Sequence, residues 1–107
     1  MSYDLVEGDT SPALIVTCTV GGAAVDLEDL ALSAVLRVQY PDGTAGDLTL
    51  AAEDLAVGTW VHEWSSGETD IVGVHLAQIV VQLVGDLQAT YPSDGTFVRW
   101  RVNERLP

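Results

Sequence analysis

His62 and His75 lie in two runs of alternating side chains, Thr59 to Trp64 and Val74 to Leu83, and with Glu63 or Asp70 close by they invite a zinc site. Zinc that performs chemistry needs three converging protein ligands. Glu63 points to the face of its strand opposite His62, and neither His-x-His nor His-Glu-x-x-His occurs, so both histidines read as part-buried fillers of aromatic positions. The acidic stretches Glu7-Gly8-Asp9, Pro41-Asp42-Gly43, Gly67-Glu68-Thr69-Asp70 and Ser93-Asp94-Gly95 raise calcium, which takes clustered carboxylate oxygens. None has the spacing of a calcium loop, and ordinary turn chemistry accounts for them. Trp60, Trp64 and Trp100 could stack on sugar rings, but each falls on the apolar face of its strand, where core packing is the expectation.

Nucleophilic catalysis has no better footing. Cys18 sits among Leu14, Val16 and Val20 as a small apolar residue, no Gly-x-Ser-x-Gly is present, and there is no lysine for a phosphate loop. The residues therefore assign no catalytic group, no cofactor and no metal ligand, and an enzyme is not expected. Arg99, Arg101 and Arg105 are a sharper signal, because three of the four basic residues fall within the last nine positions. They could contact a partner together with Glu68 and Asp70 of the central loop, one copy docking its carboxyl end on a neighbour's acidic loops. Local pairing with carboxylates of the same chain is the alternative.

A chain of 107 residues with 48% hydrophobic content can bury a core as one domain, 1–107, without disulfide or metal. Sixteen acidic residues give a net charge of -12, which repels phosphate backbones and anionic head groups, so nucleic acid and membrane surfaces are poor partners. Basic partners, or simple solubility in a salty setting, fit that charge. The lone cysteine removes any intrachain disulfide framework, and Met1-Ser2-Tyr3-Asp4 lacks the charged and apolar regions of a signal peptide.

Strand periodicity runs through the chain. Residues 1–12 read as a polar turn leading into a strand from Ala13 to Val20, ended by Gly21-Gly22 with Ala23 to Leu27 as its returning edge. Apolar residues at every second position from Leu30 to Tyr40 predict a strand closed by the turn Pro41-Asp42-Gly43-Thr44. A short strand holds Leu48 and Leu50, and Ala51 to Gly58 reads as one helical turn or a loop. Thr59 to Trp64 and Val74 to Leu83 are expected as two central strands flanking a shaped bend. Leu87 to Tyr91, the turn Pro92-Ser93-Asp94-Gly95 and a last strand Thr96 to Val102 follow. Seven or eight short strands with regular turns favour an antiparallel, immunoglobulin-like β-sandwich, all-β in class, while spacing alone leaves a closed barrel open.

The turns in order resemble a known family. Gly8-Asp9-Thr10-Ser11-Pro12-Ala13-Leu14 resembles Gly-Asp-Thr-x-Pro-x-Leu, Gly22 with Val25-Asp26-Leu27 resembles Gly-x-x-Val-Asp-Leu, and Gly58-Thr59-Trp60-Val61-His62-Glu63-Trp64 resembles Gly-x-Val-x-Tyr-x-Trp. Glu68-Thr69-Asp70-Ile71-Val72-Gly73 and Tyr91-Pro92-Ser93-Asp94-Gly95 stand where that family has Asp-Thr-Asp-x-x-Gly and an aromatic-Pro turn. The family is the immunoglobulin-like domain at the amino terminus of the upper baseplate protein of tailed bacteriophages, also met in small virion proteins. Trp60, His62, Glu68 and Gln78 depart from its usual residues. The resemblance implies a non-enzymatic structural protein of the virion, a peripheral subunit or adaptor of tail or baseplate, contacting other virion proteins in a symmetric multi-copy assembly. A capsid decoration or head-fibre subunit, or an adhesion module for host cell-surface glycan, are the alternatives.

Overall fold

Branched and aromatic residues alternating with polar ones build an all-β molecule. The computed structural model describes residues 2–91 and 97–106, and apart from the 3-10 turns Leu55–Val57 and Val84–Asp86 its regular elements are strands. These are β1 (Ser2–Val6), β2 (Leu14–Thr17), β3 (Thr19–Val20), β4 (Ala23–Ala24), β5 (Ala31–Gln39), β6 (Ala45–Asp54), β7 (Thr59–His62), β8 (Gly73–Leu83), β9 (Leu87–Tyr91) and β10 (Val98–Asn103). Eight of them form one sheet in the order β1-β10-β8-β5-β6-β7-β2, with β9 also paired to β8, while β3 and β4 make a separate hairpin.

The sheet is curled because β6 serves both limbs. Ala45 to Leu50 pair with β5, whereas Ala51 to Asp54 pair with β7, with a register shift between Ala52 and Asp54. Bulges of this kind bend a strand and raise its twist. The result is a half-barrel whose two limbs close over one core. Leu14 and Val16 on β2, Leu36 and Val38 on β5, Ile79 and Val81 on β8, and Trp100 and Val102 on β10 all point inward and are 4% exposed or less. Each such side chain contributes about 1.5–3 kcal/mol through burial.

Several expectations are corrected. The sheet is not wholly antiparallel, since β1 runs parallel to β10, with Leu5 opposite Val102. Residues 2–6 were expected to be part of a polar turn. Leu5 is instead buried, and one inward aliphatic side chain was too short a pattern to register as a strand. β10 is consequently not an edge strand. β7 and β8 are not neighbours either, because β5 and β6 stand between them, and residues 65–73 cross from one limb to the other.

The strand expected at 13–20 breaks at Cys18, whose N–H donates to the Gly58 carbonyl (2.8 Å) while its carbonyl accepts from Val25 (3.0 Å). Burial pushes the Cys18 thiol up to about 11, which keeps it protonated and unreactive. In the stretch 51–58, Ala51 to Asp54 continue β6 and only Leu55–Val57 form a helical turn, since pairing with β7 overrides local propensity. The turn expected at Pro92 to Gly95, and Thr96 at the start of the last strand, lie outside the described residues.

Candidate interaction face and the corner that braces it

The loop 65–73 is tied to the turn at residues 8–12 at one end of the sheet. Trp64 donates its indole N–H to the Pro12 carbonyl (3.1 Å), and the Ser65 amide donates to Glu68 Oε1 (2.7 Å). Thr69 is 1% exposed; its hydroxyl donates to the Asp9 carbonyl (2.6 Å) and its carbonyl accepts from the Gly8 amide (3.1 Å). Arg105 closes the other side. Its Nε donates to the Glu7 carbonyl (2.9 Å), its terminal nitrogen reaches the Asp9 carboxylate, and its own amide donates to Glu7 Oε1 (3.3 Å).

His62 occupies the gap that opens where β6 turns away from β7. Its Nδ1 lies 2.7 Å from the Thr49 carbonyl and its Nε2 lies 2.8 Å from Glu68 Oε1. A carbonyl oxygen only accepts, so Nδ1 carries hydrogen and donates to Thr49. His62 thus bridges the Thr49 carbonyl on β6 and the carboxyl group of Glu68 in the loop. Glu68 is anchored by His62 and Ser65, while Asp70 is exposed on the rim of the loop.

The rings beyond His62 form a continuous array across the core. His62 meets Trp64 edge-on at 5.0 Å, Trp64 meets Trp100 at 5.7 Å, Trp100 stacks on His75 at 5.1 Å, and Tyr40 caps His75 at 5.5 Å. Two indoles thus separate the histidines, which do not converge on a common point. Among the described residues no group of three or more His, Cys, Asp or Glu is placed to hold a metal ion. Burial lowers the basicity of His75 below its ordinary value, partly offset by its bond to the Gly73 carbonyl (3.3 Å) and the charge of Asp42. Trp60, Trp64 and Trp100 are 3, 6 and 1% exposed, so none presents a ring to a sugar.

Arg99 and Arg101 lie elsewhere, on the outer face of the larger limb. They are exposed on β10, in register with Leu76 and Val74 of β8, and neither makes an ion pair among the described residues. The same face carries Arg37 on β5, 3.3 Å from Asp47 on β6. Between them is a shallow groove of about 260 Å³ lined by Arg37, Gln39, Leu76, Gln78 and Phe97. Phe97 is 48% exposed. One guanidinium, Arg37, beside a part-exposed aromatic is a residue combination enriched in binding hot spots.

The five candidate residues are thus not one site. Glu68 and Arg105 are engaged within the chain, Asp70 is at the loop rim, and Arg99 and Arg101 belong to the sheet face. Alternation puts Phe97 on the face of Arg99 and Arg101, but Arg37 and Leu76 escaped the sequence reading as site residues, although alternation alone puts Arg37 and Gln39 opposite Leu36 and Val38. What could not be read was that β5, β8 and β10 are adjacent, which assembles these residues. Comparison with protein-family models, with curated proteins and with solved structures finds no match.

Proposed function

We propose that this chain is a non-enzymatic structural subunit of a tailed-phage virion, a peripheral or adaptor component of tail or baseplate that works through protein–protein contacts. The observation that carries this reading is how the motifs behind the baseplate-domain resemblance are used. Gly8 and Asp9 bond to Thr69, Pro12 bonds to Trp64, and Gly58 bonds to Cys18, so three separate motifs meet as framework. In the same reading the two limbs of the curled sheet correspond to the two layers of an immunoglobulin-like domain, joined through β6. The basic sheet face is then the surface that meets neighbouring virion proteins, and a stable contact there needs on the order of 1,000 Å² of buried area or more.

Particles purified from the phage or prophage that encodes the chain provide the test. Mass spectrometry is expected to find it at a fixed stoichiometry to the tail proteins. Its absence from particles, with saturable binding to a glycan array, would establish the adhesion reading instead.

A further inference from the structure

We infer that the outer face bearing Arg37, Arg99 and Arg101 docks the acidic end of a second copy of this chain, in a head-to-tail contact. The inference rests on the structural-subunit reading for its biological setting and on charge distribution for its physics. Three of the four arginines share this face with two carboxylates, Asp4 and Asp47, in a chain of net charge -12. By this count the face carries +1 and the rest of the chain -13.

The opposite sign is concentrated at one end of the strands. The Leu27 amide donates to the Leu55 carbonyl (2.8 Å) and the Val84 amide to the Leu30 carbonyl (2.9 Å), which draws three connections together. That brings Asp26, Glu28, Asp29, Glu53, Asp54 and Asp86 to the same end, all exposed and none in an ion pair among the described residues. The loop 65–73 is a poorer counterpart, because Glu68 is already hydrogen-bonded to His62 and Ser65, and Arg105 already engages Glu7 and Asp9.

Pairing face on face is disfavoured, since it brings six arginines together with only four carboxylates. A heterologous contact relieves the repulsion, and repetition of such a contact gives rings or filaments. The molecule is 49 Å long and 24 Å across, so its acidic end offers a patch of a few hundred Å², at the small end for a stable interface. Association of the free chain is accordingly expected to be weak and to gain strength from repetition in an assembly.

Sedimentation velocity of the purified chain tests this. At low ionic strength the wild type is expected to show concentration-dependent association, weakened at least about tenfold as salt rises from roughly 0.03 to 0.3 M. Arg99→Glu with Arg101→Glu is expected to abolish association, as is Glu28→Arg with Asp29→Arg. The two variants mixed together are expected to form a heterodimer and nothing longer, because the intact arginine face of one meets the intact acidic end of the other. All four sites are exposed, so unchanged denaturant midpoints verify folding. A wild type that stays monomeric, association that survives either reversal, or no heterodimer from the mixed variants overturns the inference. A monomeric chain that is nonetheless stoichiometric in particles overturns only this contact. A self-associating chain absent from particles overturns the virion reading and leaves the contact standing.

Discussion

Replacing Gly58 by alanine probes the junction where the limbs of the sheet meet. Gly58 ends the 3-10 turn at φ +66°, and a Cβ there would lie 2.5 Å from the Val25 carbonyl oxygen and 3.2 Å from that of Cys18. Two costs arise. The left-handed backbone costs an L-residue about 1–2 kcal/mol. The contact is shorter than any real Cβ tolerates, and relieving it moves the Val25 carbonyl and the chain that bonds Cys18, an overpacking cost of about 1–3 kcal/mol. Gly58→Ala is thus expected to lose about 2–5 kcal/mol. Gly22→Ala is the control, because its φ is +83° but nothing lies within 4 Å of the added carbon. It is expected to lose only the backbone cost, about 1–2 kcal/mol. Urea unfolding followed by tryptophan fluorescence measures both, with equal m-values required for the comparison. Equal losses in the two variants would refute the claim that packing of residues 18, 25 and 58 fixes this junction.

Three further outcomes are expected. Thr69→Val leaves the Asp9 carbonyl without its donor and should cost about 1–3 kcal/mol in the same assay, with Thr69→Ser retaining most of the bond. Arg105→Ala removes an exposed pair and should cost less than about 1 kcal/mol, while amide exchange at Gly8 and Asp9 quickens because the turn loses its clamp. His75 is held neutral by burial, so its folded form binds a proton less readily than the unfolded chain. Its contribution to stability is full above the ordinary value of 6.5 and is lost as pH falls below it. His75→Phe should flatten that part of the stability–pH curve and leave the region above pH 7 little changed.

Periodicity revealed most of the strands and both buried faces. Trp60, His62 and Trp64 point inward as their spacing requires, and so do His75, Ala77, Ile79 and Val81. Adjacency was illegible, because it depends on pairing between distant segments. Nothing in Ala51 to Asp54 announces that it leaves β5 for β7, and nothing in Ser2 to Val6 announces a parallel partner. The candidate site suffered for the same reason. Arg105 lies near Arg99 and Arg101 in sequence, yet the chain past β10 turns toward Glu7 and Asp9 and separates it from them. Arg37 is remote in sequence and joins them only through the order β10-β8-β5.

The role we propose, an architectural subunit attached through its arginine-bearing sheet face, makes a direct demand on assembled particles. The most direct measurement is quantitative incorporation of the wild type and of Arg99→Glu/Arg101→Glu into phage particles, read by mass spectrometry of purified virions. The wild type should be present at fixed stoichiometry, and the folded variant should be reduced by at least about tenfold, as expected where charge complementarity selects the partner. Equal incorporation of both would contradict attachment through this face, and absence of both would contradict the virion role itself.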